Sequence, residues 1–334
     1  MFEHLKKSLL LMGLAVVICC GLYPVTLWAI GQTIFPDQAN GSLVRRADGS
    51  VIGSRLIAQP FTKDEYFQPR PSAVSYDASA SGPSNLSSSN YALRDRVARS
   101  LGPIVNYKPG KPVGPDVETW FQQDQFQGAP HIVAQWSAAH SGLAQAWVKA
   151  DPMNGDFVQQ WATAHADAVA QWVKDNPDTT EPKPEDLATI FFDDWSKTSP
   201  GTWPSAVEHT KADGTVEKTI EPVKEGAEIQ AVFFDMWRQD HPGVALEDVP
   251  GDLVTASGSG LDPNITLDNA LYQLDRVAGQ WAKTRNQDPE LVKKEIQGVL
   301  MANATAPLGG LAGVKMVNVL EVNLELNKRY GASS

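Results

Sequence analysis

A run of small residues, LVTASGSGLDPNIT (253–266), is the stretch of this 334-residue sequence whose residue types most suggest ligand binding. Its hydroxyls and backbone amides, placed before a helix-forming segment, could hold a phosphate group. The pattern is also typical of a structural turn with tight backbone geometry. The candidate residues are Ser257, Gly258, Ser259, Gly260 and Asp262. Because Asp262 is acidic and no Lys or Arg occurs over 251–275, we favour a turn or partner contact over a nucleotide site.

Other residue types that carry catalysis or bind metals lack the spacing that such chemistry needs. His140 and His165 occupy equivalent positions of an internal repeat, without acidic or thiol partners at ligand spacing, which favours packing over metal binding. The sequence has no G-x-S-x-G nucleophile motif and no G-x-x-x-x-G-K-S/T phosphate loop. We therefore expect no catalytic residue, no metal ion and no tightly bound cofactor.

Arg70 and the overall charge bear on partners. Arg70 lies between two prolines in YFQPRPSA, where it could pair with a carboxylate of a partner protein or form an internal ion pair. The formal net charge of −11 argues against a nucleic-acid partner, which would require clustered Lys and Arg. Cys19 and Cys20 are adjacent, so they cannot form a disulfide framework.

Residues 9–30 form an uncharged run of 22 residues, long enough to cross a hydrocarbon core of roughly 30 Å as a helix. The run is longer than the apolar core of a signal peptide, about 7–15 residues. We therefore predict a retained anchor. Lys6 and Lys7 precede the run, which places the N-terminus in the cytoplasm and the bulk of the chain outside. Residues at helical spacing predict one face that contacts a neighbouring helix: Gly13, Val17, Gly21 and Pro24.

The segments on either side of the centre predict mixed elements. Residues 42–59 indicate a hairpin with Asp48-Gly49 at its turn. Helices are expected to begin after Ser89 or Asn90, after Thr266 and after Asp288, which are residue types that cap helices. The terminal VLEVNLELN (319–327) alternates apolar and polar residues, which predicts a half-buried strand that pairs with the N-terminal hairpin.

The central block, 116–247, holds eight of the ten tryptophans and two internal repeats. VAQWSAAHSGLAQAWVKADP (133–152) matches VQQWATAHADAVAQWVKDNP (158–177), and FFDDWSKTSPG (191–201) matches FFDMWRQDHPG (233–243). The two tryptophans of each longer copy lie eleven residues apart, almost three helical turns, which predicts that they share one helix face. A second hairpin is predicted with Asp213-Gly214 between its strands. Tryptophans at such spacing favour a packed core, with stacking on sugars as the alternative.

The segments GSRLIAQPF, YFQPRPSA, SNL, DLVTASGSGLDP, YQLDRVA and VNVLEVNLEL, which follow one apolar helix in this order, resemble one family. It is the C subunit of the bacterial Kdp high-affinity potassium-transporting P-type ATPase. The resemblance covers about 1–112 and about 248–330, and the central block resembles the Trp-rich insert of long forms. Pro83 stands in SGPSNL where the family has a glycine.

The resemblance implies a single-pass, non-catalytic subunit of a four-part complex in the bacterial inner membrane. Its partners would be a potassium-pore subunit, an ATP-hydrolysing catalytic subunit and a small membrane subunit. The family has been assigned a role in raising the ATP affinity of the catalytic subunit, and SGSGLDP resembles the nucleotide-contacting signature loop of transporter ATPases. ATP is therefore expected only through the catalytic subunit.

We accordingly predict an α+β fold: one N-terminal transmembrane helix, then an extracytoplasmic α+β domain with a mainly helical Trp-rich insertion. The predicted parts are a cytoplasmic N-terminus (1–8), a transmembrane helix (9–30), the first part of the domain (31–115), the insertion (116–247) and the second part of the domain (248–334). The alternative function is a membrane-anchored extracytoplasmic binding module that uses the Trp-rich repeats.

Overall fold

The computed structural model describes residues 2–46, 48–108, 110–211 and 215–331. The chain divides into two compact units: unit 1 comprises Met1–Asn85 and Val249–Ser334, and unit 2 comprises Leu86–Asp248. Unit 2 ends beside the end of the predicted insertion. It starts before the predicted insertion, because the helix that follows Asn90 packs within this unit.

The described residues form fifteen α-helices and eight strands. The helices are α1 (Phe2–Val16), α2 (Tyr23–Ile34), α3 (Pro36–Ala39), α4 (Tyr91–Leu101), α5 (Gly114–Gln122), α6 (Ile132–Ala139), α7 (Ser141–Ala150), α8 (Pro152–Ala164), α9 (Ala166–Asp175), α10 (Ala188–Thr198), α11 (Ala227–Asp240), α12 (Gly251–Val254), α13 (Leu267–Arg285), α14 (Pro289–Asn303) and α15 (Val319–Tyr330). The strands are β1 (Leu43–Arg45), β2 (Val51–Ser54), β3 (Asn106–Tyr107), β4 (Lys111–Pro112), β5 (Trp203–Thr210), β6 (Val216–Val223), β7 (Asn264–Thr266) and β8 (Met316–Asn318).

The N-terminal helix runs from Phe2 to Ile34 without a break, and none of its most apolar 18-residue window, of mean hydropathy 2.2, is buried. Within the described part of the chain it is the one helix long and apolar enough to cross a membrane. A π-helical turn, Val17–Leu22, joins α1 to α2 and directly precedes the turn that contains Pro24. Proline lacks an N–H, so the hydrogen-bond ladder is irregular at this point.

The core of unit 1 is formed by α13, α14 and α15 together with the two short strands β7 and β8. The side chains of Thr266, Asp288 and Asn318 accept hydrogen bonds from backbone amides in the first turns of these helices. Helix starts at Thr266 and Asp288 were expected from the sequence, and both are confirmed. Each cap satisfies an amide that has no partner within its helix.

The C-terminal segment corrects one expectation. Residues 319–327 belong to helix α15, so the prediction of a half-buried strand is wrong. The short strand β8 before the helix pairs antiparallel with β7, with Ile265 opposite Val317, and not with the N-terminal hairpin. The physical reason is that Val319, Val322 and Leu326 are buried at helical spacing, and that Asn318 caps the helix.

Both predicted hairpins are present. Strands β1 and β2 pair antiparallel, and Gly49 adopts a left-handed φ of 84° in the connection between them. Strands β5 and β6 pair over eight positions, from Trp203 opposite Val223 to Thr210 opposite Val216. The predicted turn residues Asp213 and Gly214 lie outside the described residues.

The core of unit 2 is aromatic. Trp203 stacks on Phe192 with ring centroids 5.0 Å apart and meets Trp136 edge-on at 4.9 Å. Phe121 of α5 stacks on Phe233 of α11 at 4.2 Å. Large rings with few rotatable bonds bury much apolar area, which explains how short helices are held together here.

The W-x-x-x-H pattern of the repeats is a helix stop. The backbone amides of His140, His165 and His241 each donate to the carbonyl of the tryptophan four residues earlier, and the helix ends there. The imidazole of His165 also stacks on Trp161, with ring centroids 5.0 Å apart. The two tryptophans of each longer copy therefore lie on two consecutive helices, and the prediction that they share one helix face is wrong.

Candidate functional site

The loop 257–262 follows α12 and is held mainly by its own polar groups. The hydroxyl of Ser257 accepts from the amide of Asp262 at 3.4 Å, and that of Ser259 accepts from the amide of Leu261 at 3.1 Å. The Asp262 carboxylate accepts from the amide of Asn264 at 3.0 Å. The serine and aspartate oxygens that could serve a ligand therefore act as turn-forming acceptors.

The two glycines of the loop differ sharply. Gly260 is buried, has a φ of 70°, and a Cβ built on it would lie 2.7 Å from Val74 Cγ2 and 3.0 Å from the carbonyl of Gly82. Gly258 is exposed and has nothing within 4 Å of such a Cβ. Only Gly260 therefore requires glycine, because it needs both left-handed backbone and close approach.

The loop fixes the segment 70–85, which lies in the first half of unit 1. The carbonyl of Ser259 accepts from the amide of Gly82 at 2.9 Å and from the hydroxyl of Ser81 at 3.2 Å. In the same segment Ser75 and Tyr76 adopt left-handed φ values of 52° and 59°, which cost energy for residues with a Cβ. The pairing with the loop helps to hold this strained conformation.

Arg70 lies beside the loop in unit 1. Its Nη2 donates to the carbonyl of Ala256 at 3.1 Å, and its Nη1 lies 4.0 Å from the Asp262 carboxylate. The Tyr76 hydroxyl donates to the carbonyl of Arg70 at 2.9 Å, and burial raises the pKa of that phenol. In the described residues Arg70 therefore has an internal carboxylate and a carbonyl as partners, and its Nε is buried without one.

Two side-chain amides that the sequence did not single out clamp the backbone just before Arg70. Asn323 of α15 accepts from the Phe67 amide and donates to the Phe67 carbonyl, both at 2.8 Å. Gln273 of α13 makes the same reciprocal pair with Gln68, at 2.8 Å and 3.0 Å. Each amide replaces a strand partner, so the extended segment is satisfied between two helices. A single Asn or Gln among apolar residues at helical spacing is the sequence signal that could have indicated the clamp.

These features lie in segments that match a known protein family. A family model described as KdpC, the K+-transporting ATPase c chain, matches residues 5–120 and 204–328, more than half of the chain. The chain belongs to the KdpC family. The loop, Arg70 and both clamp amides lie within the matched segments, whereas 121–203 lie between them.

Individual KdpC relatives agree with this assignment. The potassium-transporting ATPase KdpC subunit of Caulobacter sp. (strain K31) is 27% identical over 334 residues, 99% of this chain and 97% of the relative. That of Pseudomonas putida is 52% identical over 110 residues, 33% of this chain and 60% of the relative. That of Caulobacter vibrioides (strain NA1000 / CB15N) is 44% identical over 121 residues, 36% of this chain, which spans 61% of that relative's length.

The remaining predicted contact residues lie on the N-terminal helix. Gly13, Val17 and Pro24 are exposed and Gly21 is half-buried, and nothing lies within 4 Å of a Cβ built on either glycine. This surface is open to a neighbouring helix. Among the described residues, no group of three or more His, Cys, Asp or Glu side chains is arranged to hold a metal ion.

Proposed function

We propose that this chain is an accessory, non-catalytic subunit of a potassium-transporting ATPase. It assembles with a potassium-pore subunit, an ATP-hydrolysing catalytic subunit and a small membrane subunit. The observation that carries the proposal is the KdpC family match, which spans both sequence segments of unit 1. The unburied apolar helix Phe2–Ile34 supports anchoring in the membrane beside these partners.

The anchor crosses the bacterial cytoplasmic membrane once, with the N-terminus inside, and the rest of unit 1 and all of unit 2 lie outside. Lys6 and Lys7 precede the apolar run, and no basic residue occurs between Lys7 and Arg45, which supports this orientation. The orientation can be tested with Cys19 and Cys20 changed to alanine and one cysteine placed at the exposed Ser88. A membrane-impermeant maleimide should label intact spheroplasts. Labelling only after the membrane is opened would reverse the orientation.

Complex membership is tested by purification. The tagged full chain, expressed in its host under potassium limitation and extracted in mild detergent, should carry a stoichiometric ATPase whose hydrolysis depends on potassium. Changing Gly13 and Gly21 to leucine should reduce this recovery, because bulky side chains keep a neighbouring helix away. Leucine at the exposed position Thr26 is the control. A chain that elutes alone under all conditions would refute the proposal.

The loop 257–262 acts as a structural and partner-contact element, and any effect on ATP affinity passes through the catalytic subunit. Two observations support this: the backbone amides of Gly260, Leu261, Asp262 and Asn264 already donate within the loop, which leaves few backbone donors for a phosphate, and the Asp262 carboxylate lies beside them. In the assembled complex, Gly258→Ala should leave the apparent ATP affinity unchanged. A selective loss of ATP affinity, with assembly and potassium affinity intact, would indicate direct nucleotide contact.

We infer that the tryptophans of the central block, 116–247, serve mainly as a core and not as a ligand platform. All eight in 116–247 are buried or half-buried, with Trp136 and Trp237 each 2% exposed. A sugar-binding platform would present at least one open ring face. The purified full chain should therefore not sediment with peptidoglycan, and saturable sedimentation would revive the binding-module alternative.

A further inference from the structure

Unit 2 contains a cavity of about 770 Å³ that the potassium-transport proposal does not use. One wall is α4, which contributes Arg96 and Arg99, and another is the break between α6 and α7, which contributes His140, Ser141 and Gly142. The remaining lining comprises two polar residues, Asp95 and Ser100, and the small or apolar Ala92, Ala139, Leu143 and Ala231. Basic groups and an apolar wall therefore share one space.

The two arginines of the cavity make no close ion pair. Arg94, on the same helix, makes a two-pronged contact with Asp235 at 3.1 Å and 2.9 Å. Among the described residues, neither Arg96 nor Arg99 has a carboxylate within ion-pair distance, and Arg96 Nε is buried without any hydrogen-bond partner. Burial lowers the pKa of Arg99, although the carboxylates of Glu228 and Asp95 act in the opposite direction. Both guanidinium groups are half-buried and neither touches a carboxylate, so an anion in the cavity would stabilise them.

The N-terminus of α7 faces the same cavity. Its first residues, Ser141 and Gly142, line the space, and His140 supplies no side-chain cap. The first amides of a helix have no partner within it and carry the positive end of the helix dipole. Asp95 also lines the cavity, and its carboxylate lies 3.6 Å from His140 Nδ1.

We propose that this cavity binds the phosphate group of a small molecule. The guanidinium groups of Arg96 and Arg99 provide charge-assisted donors, and the amides at the start of α7 bind the remaining oxygens. The apolar wall accommodates the organic part of a phosphate monoester. Asp95 weakens the attraction, since it places one negative charge at the edge of the site.

The test uses the full chain in non-ionic detergent and titration calorimetry with inorganic phosphate and phenyl phosphate at low ionic strength. Arg96→Gln and Arg99→Gln should each weaken phosphate binding about tenfold. Arg94→Gln, the matched control on the same helix, should leave it unchanged, because that side chain is engaged by Asp235. Asp95→Asn should tighten binding about threefold, a gain that misfolding cannot produce.

The outcomes separate the two sources of the phosphate group. Tighter binding of phenyl phosphate, in competition with inorganic phosphate, supports the site and identifies an organic phosphate. Equal binding supports the site and identifies free phosphate. No binding of either probe at millimolar concentration overturns the proposal. An equal loss in Arg94→Gln, or weaker binding in Asp95→Asn, also overturns it.

Discussion

Replacing Gly260 with alanine is expected to destabilise unit 1 far more than the same replacement at Gly258. The two glycines lie two positions apart in one loop, and their environments differ in both conformation and space. Gly260 has a φ of 70° and would place its Cβ 2.7 Å from Val74 Cγ2 and 3.0 Å from a backbone carbonyl. Gly258 has open space on that side.

The expected size follows from two costs and one offset. Left-handed backbone costs a residue with a Cβ about 1–2 kcal/mol. Forcing an extra methyl group into packed surroundings costs roughly 1–3 kcal/mol. The lower entropy of the unfolded chain returns about 0.4–1 kcal/mol. Gly260→Ala should therefore lower the free energy of unfolding by about 2–4 kcal/mol, and Gly258→Ala should change it by less than about 1 kcal/mol.

The assay must report on unit 1 separately. Urea unfolding of the full chain in non-ionic detergent, followed by pulsed hydrogen exchange of peptides from α13–α15, isolates the core of unit 1. Exchange in 70–85 should increase in Gly260→Ala even without urea, because Ser259 and Gly82 lose their pairing. Equal effects of the two substitutions, or a neutral Gly260→Ala, would refute the view that this loop is a fitted structural element.

Three further predictions concern other contacts. Asn323→Ala should lower the free energy of unfolding of unit 1 by about 2–4 kcal/mol, since both backbone groups of Phe67 lose a buried partner. The control is Lys328→Ala at an exposed position, and a loss below about 1 kcal/mol in Asn323→Ala would contradict the clamp. Arg70→Ala should lower the free energy of unfolding by about 1–2 kcal/mol, because its contact with a backbone carbonyl is lost. Asp262→Asn should lower it by less than about 1 kcal/mol, because the 4.0 Å ion pair between the two residues is partly exposed. A larger loss in Asp262→Asn than in Arg70→Ala, measured by urea unfolding, would contradict these roles. Burial and the hydrogen bond to Asp116 raise the pKa of Tyr107 to about 12. Above pH 10 the unfolded chain therefore loses a proton that the native chain keeps, and the stability of unit 2 should fall as pH rises. Tyr107→Phe should make the fall between pH 10 and 12 shallower, and identical slopes in urea unfolding would contradict this.

The sequence predicted correctly those helix starts and hairpins that depend only on neighbouring residues. The caps at Thr266 and Asp288, the helix start predicted at Ser89 or Asn90, and the two hairpins depend on a few adjacent residues, so the sequence indicates them directly. The strand prediction for 319–327 was wrong because the leucines and valines of this segment fit both a period of two and a helical period. The pairing of Asn318 as cap with Glu321 three residues later was the signal that distinguishes them.

Long-range features were not visible in the sequence. The contact of Arg70 with Asp262 joins residues far apart in the chain, and nothing in YFQPRPSA identifies which carboxylate would be near. Likewise, the clamp amides are buried polar residues that a hydrophobic pattern treats as interruptions. The helix ends at the histidines of the repeats were not predicted, because the W-x-x-x-H spacing is equally compatible with one continuous helix.

The amide clamp also sets an order of events during synthesis. Gln68 and Gln273 are 205 residues apart, and Phe67 and Asn323 are 256 apart, with the whole of unit 2 encoded between them. At roughly 5–20 residues per second, the ribosome needs about 10–40 s to deliver Gln273 after Gln68 has been made. Unit 2 can fold during that interval, while the segment around Phe67 waits with an apolar ring exposed. A nascent chain that is held or shielded at this point would escape cleavage and misassembly, and one that stalls before α13 would be a natural target for quality-control proteases.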